Sequence, residues 1–578
     1  MAEIKQVSAM FSQPGVQRDG TLTDANFFTD AQWCRFQRGR PRKMGGYSLI
    51  SAQIAGPIRQ QLVWSKGLMN ALYSFSPSTI NLTVMDANGS GSNIYDLTPA
   101  GFASSDDYLW SVDTLWDAAG SNTIVVAVAT PSLTNIDDAT ASQVYYAVAG
   151  ATGSAFVAIT GLFASGGVCA IPPYLFYFGA DGKVAWTDAN QPQTLTGGDA
   201  NTNSRVTGAK VVKALPIRGG SGPAGLFWSL DSVVKGDWTG GANVFRFTTV
   251  SSQSSILSQN GVIEYDGSYY WPGVDRFLQY SGGQISEIPN NQNLNWFFDN
   301  LNFAQRQKVW AMKVPRFGEI HWYFPFGDSE ECSHCVILNV REKTWYDNRL
   351  ARSAGYYSQV FHYPVMASSE PNPNLRSLVI TISAGTFNVG DVIQGSTSGV
   401  SATITTVVDS THIIVYLTIA NTDFIATEGL VNATSGGTAT LDELITISSA
   451  YVHEKGVNAL EGETQNPIDS WFETCDFGYP TGSAQPNAPI GPNRWTRIIR
   501  VEPDFEMAGE MSVVVTGREW AQGSDTESDP YVFDSTTEKI DMREQRREIR
   551  LRFRSNAIDG DYQTGHVLLH IEPGDVRS

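Results

Sequence analysis

Residues 261–283 read GVIEYDGSYYWPGVDRFLQYSGG, residues 291–328 read NQNLNWFFDNLNFAQRQKVWAMKVPRFGEIHWYFPFGD, and residues 334–359 read HCVILNVREKTWYDNRLARSAGYYSQ. Short aromatic stretches alternate with tight turns such as Asp266-Gly267. An alternating stretch folded back at an Asp-Gly pair makes a hairpin. Hairpins repeated at short intervals are how a β-propeller reads.

The same pattern extends in both directions. Strand pairs begin near Gln61, near Thr123, at Tyr174 with a turn at Asp181-Gly182, at Leu226 with a partner at Val244–Val250, at Val262, and at Glu319. Their spacing, roughly 40–55 residues, is the scale of a propeller blade. The pairs are not alike enough in sequence to count blades. Residues 295–312 give the best helix, with Phe297, Leu301, Ala304 and Lys308 on one side. It is expected to pack as an excursion between blades.

Composition changes at Pro371-Asn372-Pro373-Asn374. From there to Ala450, Ser and Thr dominate and basic residues almost vanish. This segment repeats itself at an offset of 37 residues. Phe387 answers to Phe424, Asp391 to Glu428, Thr397-Ser398-Gly399 to Thr434-Ser435-Gly436, and Ala402-Thr403 to Ala439-Thr440. Two like β-units predict a small sandwich or barrel inserted into a loop of the larger body. After it, Arg500–Glu506, Met511–Arg518 and Glu548–Ser555 alternate as strands. Arg550, Arg552 and Arg554 fall on one face of the last, and Leu551 and Phe553 on the other. The expected fold class is all-β. Residues 1–370 form most of the propeller body, 371–450 the inserted domain, and 451–578 a C-terminal β-rich segment completing the body.

The chain has 578 residues and a formal net charge of −19, with 54 glycines and 11% aromatics. The length calls for several cores. The charge speaks against bulk attraction to nucleic acid. Five cysteines at irregular spacing indicate no disulfide framework. No basic-then-apolar leader opens the chain, and no apolar run approaches the ~20 residues of a membrane span. Synthesis as a soluble protein in a cytoplasm is expected.

Several motifs carry two readings. Arg38-Gly39-Arg40-Pro41 spells the core of a minor-groove hook, but its alternating flanks favour a hairpin turn. Cys332-Ser333-His334-Cys335 has the spacing of half a zinc site, yet no second ligand pair lies near it; a polar blade loop is the simpler reading. Asp181-Gly182 with Trp186, and Asp266-Gly267 with Trp271, loosely echo sialidase boxes but are better explained as hairpin turns with an aromatic in the return strand. Residues 543–554 are the strongest basic cluster. They read as a solvated or salt-bridged strand face, or as an inter-subunit or DNA-facing surface that could pair with an acidic patch such as Asp525, Glu527 and Asp529 of a neighbouring copy. The seven histidines are scattered. No catalytic, cofactor-binding or metal-ligating residue is singled out, no cofactor is expected, and the chain is not expected to be an enzyme.

Three blocks together resemble the tail nozzle (tail hub, or packaged-DNA stabilisation) proteins of short-tailed bacteriophages, the podoviruses. The first is QWCRFQRGRPRKMGGY, residues 32–47. The second runs from LFWSLDSVV at 226 through YDGSYYWPGVDRF, NLNWFFDNLN, QRQKVWAMKVPRFGEIHWYFP and NVREKTWYD to ARSAGYY at 357. The third is FETCDFGY at 472, with RVEPDF, ESDPYVF, RLRFRSN and GDYQTG. The resemblance covers most of the chain outside 371–450. It implies a structural virion component of the tail, assembled as a homo-oligomeric, hexameric ring below the portal and adaptor. It further implies tail adaptor or connector proteins, tail fibres or spikes, and a tail plug or needle as partners. Packaged double-stranded DNA would be retained and then conducted through the lumen during ejection, without sequence-specific binding. The alternative is a receptor- or glycan-binding tail protein that uses the propeller face, with its abundant Trp and Tyr, as a lectin-like site. Activity on a bacterial polysaccharide ranks behind both.

Overall fold

The computed structural model describes residues 5–8, 12–22, 25–220, 222–241, 243–408, 410–461, 464–478, 494–520 and 522–576. The N-terminal residues 1–4 and 9–11, and Tyr479 of the third resemblance block, fall outside these. The described chain is almost wholly β, with one short α-helix.

Six consecutive four-stranded antiparallel sheets occupy residues 60–96, 108–164, 167–205, 211–251, 263–287 and 310–348. Each is a meander, so every strand pairs with its sequence neighbour, and each contains one of the strand pairs legible in the sequence. A seventh blade is assembled from distant pieces. Its strands are Arg352–Tyr357, Pro364–Ser368, the end of Thr438–His453, and Tyr47–Ala55. The innermost, Arg352–Tyr357, packs against the first strand of both the first and the sixth blade. The ring thus closes through a strand from early in the chain, and the body is a seven-bladed propeller.

Why these stretches form blades is visible at the turns. Asp181-Gly182 and Asp266-Gly267 all have φ between 51° and 78°, the left-handed pair a two-residue hairpin turn requires. The blades then bury aromatic and branched side chains against one another. Between the fifth and sixth, Phe277 meets Trp345 at 4.8 Å and Trp322 at 5.1 Å. Buried indoles give their N–H groups to loop carbonyls: Trp110 to Ser76, Trp271 to Ser255, Trp322 to Gly261 and Trp345 to Pro289, all at 2.8–3.1 Å. Trp271 and Trp345 thereby tie their blades to the connection before them, Trp110 ties the second blade to a turn of the first, and Trp322 ties the sixth blade to the connection before the fifth.

The expected helix is shorter than its pattern. Leu294–Asn300 is α-helical, Phe303–Lys308 is a 3₁₀ turn, and Trp310 begins the sixth blade. Asn300 is followed by an extended Leu301, which breaks the 3.6-residue period. The excursion does lie between blades, and Phe297 is fully buried against Phe277 and Phe324.

The insertion is a closed six-stranded barrel. Around it run Leu375–Ala384, His412–Leu417, Ser401–Val407, Val392–Gly395, Gly429–Asn432 and the start of Thr438–His453, which returns to pair with the first. The offset of 37 maps Val392–Gly395 onto Gly429–Asn432, so the barrel is two copies of one three-stranded unit. Its last strand is 16 residues long and continues into the seventh blade. Barrel and propeller therefore share a strand.

The remaining chain makes a second β-body beside the propeller. The sequence placed residues 451–578 as completing the propeller body; of these, only the residues up to His453 and the short strands Ala459–Glu461 and Thr464–Asn466, which extend the outer edge of the seventh blade beside Tyr47–Ala55, join it. Strand Lys5–Ser8 pairs with Leu568–Val576, and Cys34–Gln37 and Arg40–Lys43 pair with each other, the latter also with Asp561–Thr564. Ser470–Glu473, Glu548–Ser555 and Met511–Arg518 form a further sheet. The expected strand at Arg500–Glu506 is divided at Pro503 into Arg494–Glu502 and Phe505–Ala508, as a proline without an N–H demands.

Candidate functional site

The second body meets the propeller at the sixth and seventh blades through buried charge. Arg35 lies on the strand Cys34–Gln37 and is fully buried. Its guanidinium donates to both oxygens of Glu319, at 2.9 and 3.2 Å, and to Glu454 at 2.9 Å. The Phe317 ring lies 3.6 Å beneath it. Glu319 also accepts from Tyr346 at 2.7 Å and contacts His321 at 3.0 Å. Burial alone would raise the Glu319 carboxyl. Arg35, with His321 and Tyr346, overrides it and holds the group down at about 2. Nearby, Arg18 takes Asp347 in a fork at 2.8 and 3.0 Å and also pairs with Asp30. The Trp33 amide donates to Asn348 at 3.0 Å.

The candidate minor-groove hook belongs to this seam. Arg38 and Gly39 are the two turn residues of a hairpin, with φ of 52° and 72°. Their amides donate to Glu342 at 2.6 and 3.0 Å. Arg40 donates to the Gly565 carbonyl at 2.6 Å. It is a structural turn.

Cys332 and Cys335 are both buried, as are the other three cysteines, and all are free thiols. Burial pushes each of the two thiols up. His334 between them stacks on Phe326 at 4.2 Å, and burial, with Arg349 and Arg18 nearby, lowers it to about 4. Among the described residues no group of three or more His, Cys, Asp or Glu is arranged around a metal position. The sialidase-like pairs are hairpin turns. Trp186 packs on Phe176 and Phe245, and Trp271 on Trp228.

The basic stretch is largely neutralised inside the chain. Arg550 pairs with Glu473 at 3.0 Å, Asp476 at 3.4 Å and Asp525; Arg552 pairs with Glu473 and Glu527; Arg554 pairs with Asp469. Asp525 and Glu527, read from the sequence as partners for a neighbouring copy, bond Arg550 and Arg552 of their own chain. Burial pushes Asp476 up to about 6, against the pull of Arg550 and Arg518.

Sequence reasoning missed the propeller axis. A cavity of about 360 Å³ opens there. Gln60, Lys213, Arg218, Glu264, Lys313 and Tyr356 line it from five different blades. Lys313 pairs with Glu264 at 3.0 Å. Asp113 is held by the amides of Ala170 and Thr114, each at 2.8 Å. Burial lowers Lys213, while Cys169 and Asp113 pull it back up. A cavity this size suits a small molecule. A DNA duplex, whose major groove alone is about 12 Å wide, does not pass through it.

No family model matches the chain, and no curated protein matches it. Among solved structures it is similar to one titled as the crystal structure of an ancestral GH74 enzyme, at 12% identity and a TM-score of 0.35, over 60% of this chain. The chain spans about half the length of that structure. The sequence expectation that the chain is not an enzyme is corrected on this finding, because a chain titled as an enzyme stands among those it resembles. At that TM-score the likeness assigns no activity in its place.

Among the described residues no helix is long and apolar enough to cross a membrane.

Proposed function

We propose that the chain is a tail nozzle protein of a short-tailed phage: a structural virion component that assembles into a ring below the portal and adaptor, retains packaged DNA and conducts it at ejection. The observation that carries this reading is where the resemblance blocks meet. Residues 32–47 (QWCRFQRGRPRKMGGY) supply Arg35, Arg38 and Gly39. Residues 305–347 supply their partners Glu319, Glu342 and Tyr346. The third block supplies the strand Asp561–Thr564 and Gly565: Gln563 pairs with Arg42, the Thr564 hydroxyl donates to the Pro41 carbonyl at 3.2 Å and Arg40 donates to the Gly565 carbonyl at 2.6 Å. Strings hundreds of residues apart thus describe one joint between two bodies. A set of matches scattered over unrelated surfaces would support the reading less.

Because the axial cavity of one propeller is too narrow for a duplex, the DNA lumen of such a ring lies between copies. The charge pattern suits that arrangement: the chain is acidic, and the arginines of its most basic strand are engaged by its own carboxylates. A wall of that kind gives the phosphate backbone little to hold. Ring closure needs two different, complementary surfaces on each copy.

Cryo-microscopy of the purified chain, alone and with a tail adaptor protein, tests the proposal. The expected image is a six-fold ring with an open centre wide enough for duplex DNA. A chain that stays monomeric under both conditions, or that lies off the tail axis in the virion, defeats it.

A further inference from the structure

The axis of the propeller gathers hydrogen-bond donors that nothing in the described chain uses. The side chains of Lys213, Arg218, Tyr356 and Gln60 all line the cavity, and none forms a hydrogen bond or ion pair with another described residue. Their neighbours behave differently. Lys313 is matched by the Glu264 carboxylate at 3.0 Å and its carbonyl at 2.8 Å. Asp113 is matched by two backbone amides, and it lies close enough to Lys213 and Arg218 to feel their charge without pairing with either. Two cations, Lys213 half-buried and Arg218 exposed, therefore share one nearby carboxylate, Asp113, in a chain of net charge −19.

Confinement makes this costly. A half-buried ammonium has lost part of its hydration, and an unmatched charge in a low-dielectric site is expensive unless a counter-charge arrives. Such groups mark binding sites more often than ordinary packing does. A guanidinium beside an ammonium is suited to a planar or tetrahedral oxyanion, because its fork takes two oxygens at once.

We infer that the axial cavity binds a small molecule bearing a carboxylate or phosphate group, with Lys213 and Arg218 holding the anionic group and Tyr356 and Gln60 bonding its polar remainder. The volume of about 360 Å³ admits a ligand the size of one sugar acid or one sugar phosphate. Asp113 sets the limit on charge, since it opposes a second anionic group. This site is independent of the ring proposal and of any activity.

Isothermal titration of the full chain with inorganic phosphate and, separately, with glucuronate tests it. One site per chain is expected for at least one probe; which one responds assigns the anionic group. Arg218→Ala, at an exposed position that leaves the fold intact, weakens binding by about tenfold or more, as does Lys213→Met. Asp113→Asn strengthens it. Arg205→Ala, on the outer edge of the third blade, leaves it unchanged. The inference is overturned if neither probe binds at about 10 mM, if binding survives both Arg218→Ala and Lys213→Met, or if Arg205→Ala weakens it as much as they do.

Discussion

The second body and the inserted barrel are fastened to the same propeller by opposite means. The second body is docked by side chains, with the fully buried Arg35 locked between Glu319, also fully buried, and the partly exposed Glu454. The barrel is docked by backbone, through a 16-residue strand that leaves the barrel and becomes a blade strand without a break. Buried charge is specific but brittle: each partner depends on the others, and removing one leaves an uncompensated ion. A shared strand is tolerant, because the ladder of hydrogen bonds does not depend on which side chains it carries. The difference separates a joint that must be made in one geometry from a unit that can be exchanged.

Breaking the charged joint has the largest expected effect. Arg35→Met strands the Glu319 and Glu454 carboxylates and costs about 3–5 kcal/mol, read as a lowered midpoint in urea. The pH dependence gives a second reading. Glu319 sits at about 2 in the folded chain against an ordinary 4.5. A depressed carboxyl contributes stability that is complete above pH 4.5 and is lost as the pH falls towards 2. The wild-type chain should lose stability across that window, and Arg35→Met should flatten the loss. A variant with the wild-type midpoint, or with an unchanged acid slope, would show that the joint does not rest on this pair.

The barrel offers a finer test, because its two copies solve one problem differently. In the second copy, Asn432 accepts from the turn amides of Thr434 and Ser435, at 2.9 and 3.1 Å, and donates to Asp391 at 2.7 Å. In the first copy the position of Asn432 is Gly395. There the longer Glu428 reaches the turn itself, accepting from the amides of Thr397 and Ser398 at 2.9 Å and from the Ser398 hydroxyl at 2.8 Å. A Cβ on Gly395 would lie 2.6 Å from a Glu428 oxygen, so the glycine and the glutamate require each other. Glu428→Ala should cost about 2–3 kcal/mol of barrel stability. Glu428→Asp with Gly395→Asn rebuilds the pattern of the other copy and should recover most of it, whereas either change alone should not. Proteolysis of the barrel followed by mass spectrometry would report both.

Removing the barrel altogether should matter less to the propeller than either change. Arg376 pairs with Thr446 across the ladder, and the Asn372 amide bonds the Ile447 carbonyl at 2.7 Å, so the two ends of the excised segment already lie side by side. Joining Asn374 to Ile447 through a short glycine linker should leave the thermal midpoint of the propeller within a few degrees of wild type, since the blade half of the shared strand keeps its partners. Failure of the shortened chain to fold would show that the barrel is part of the propeller's core.

How much of this was legible in the sequence depended on distance along the chain. A strand pair from each of six blades could be read, though not a blade count, because each of these blades is a local meander announced by its own turns. The seventh could not, because its strands come from residues 47–55, 352–368 and 447–453 and no local signal joins them. The repeat in the barrel was legible from its constant offset, but closure was not, because it depends on Leu375–Ala384 finding a strand far along the chain. The arginines of residues 550–554 alternated visibly, yet their partners Glu473, Asp476 and Asp525 lay in other segments. The axial cavity was hidden for the same reason: Gln60, Lys213 and Tyr356 become neighbours only when the ring closes.

The smallest expected effect concerns the Arg38-Gly39-Arg40-Pro41 turn, and it separates a joint from a nucleic-acid contact. A minor-groove hook needs extended, unengaged arginines. Here the Arg38 and Gly39 amides are held by Glu342, and the Arg40 guanidinium by the Gly565 carbonyl. Substituting Arg38 and Arg40 together with Ala should leave the affinity for an A·T-rich duplex, and its dependence on salt, as they are in the wild-type chain. A phosphate-binding arginine would instead flatten the salt slope by about one unit when removed. Arg38→Gly alone should stabilise the chain slightly, by about 0.5–1 kcal/mol, because φ of 52° strains any residue with a Cβ. A fall in duplex affinity with the double substitution would return the turn to the surface as a DNA contact. A fall in stability with Arg38→Gly would show that the arginine side chain, and not only its backbone, holds the second body to the sixth blade.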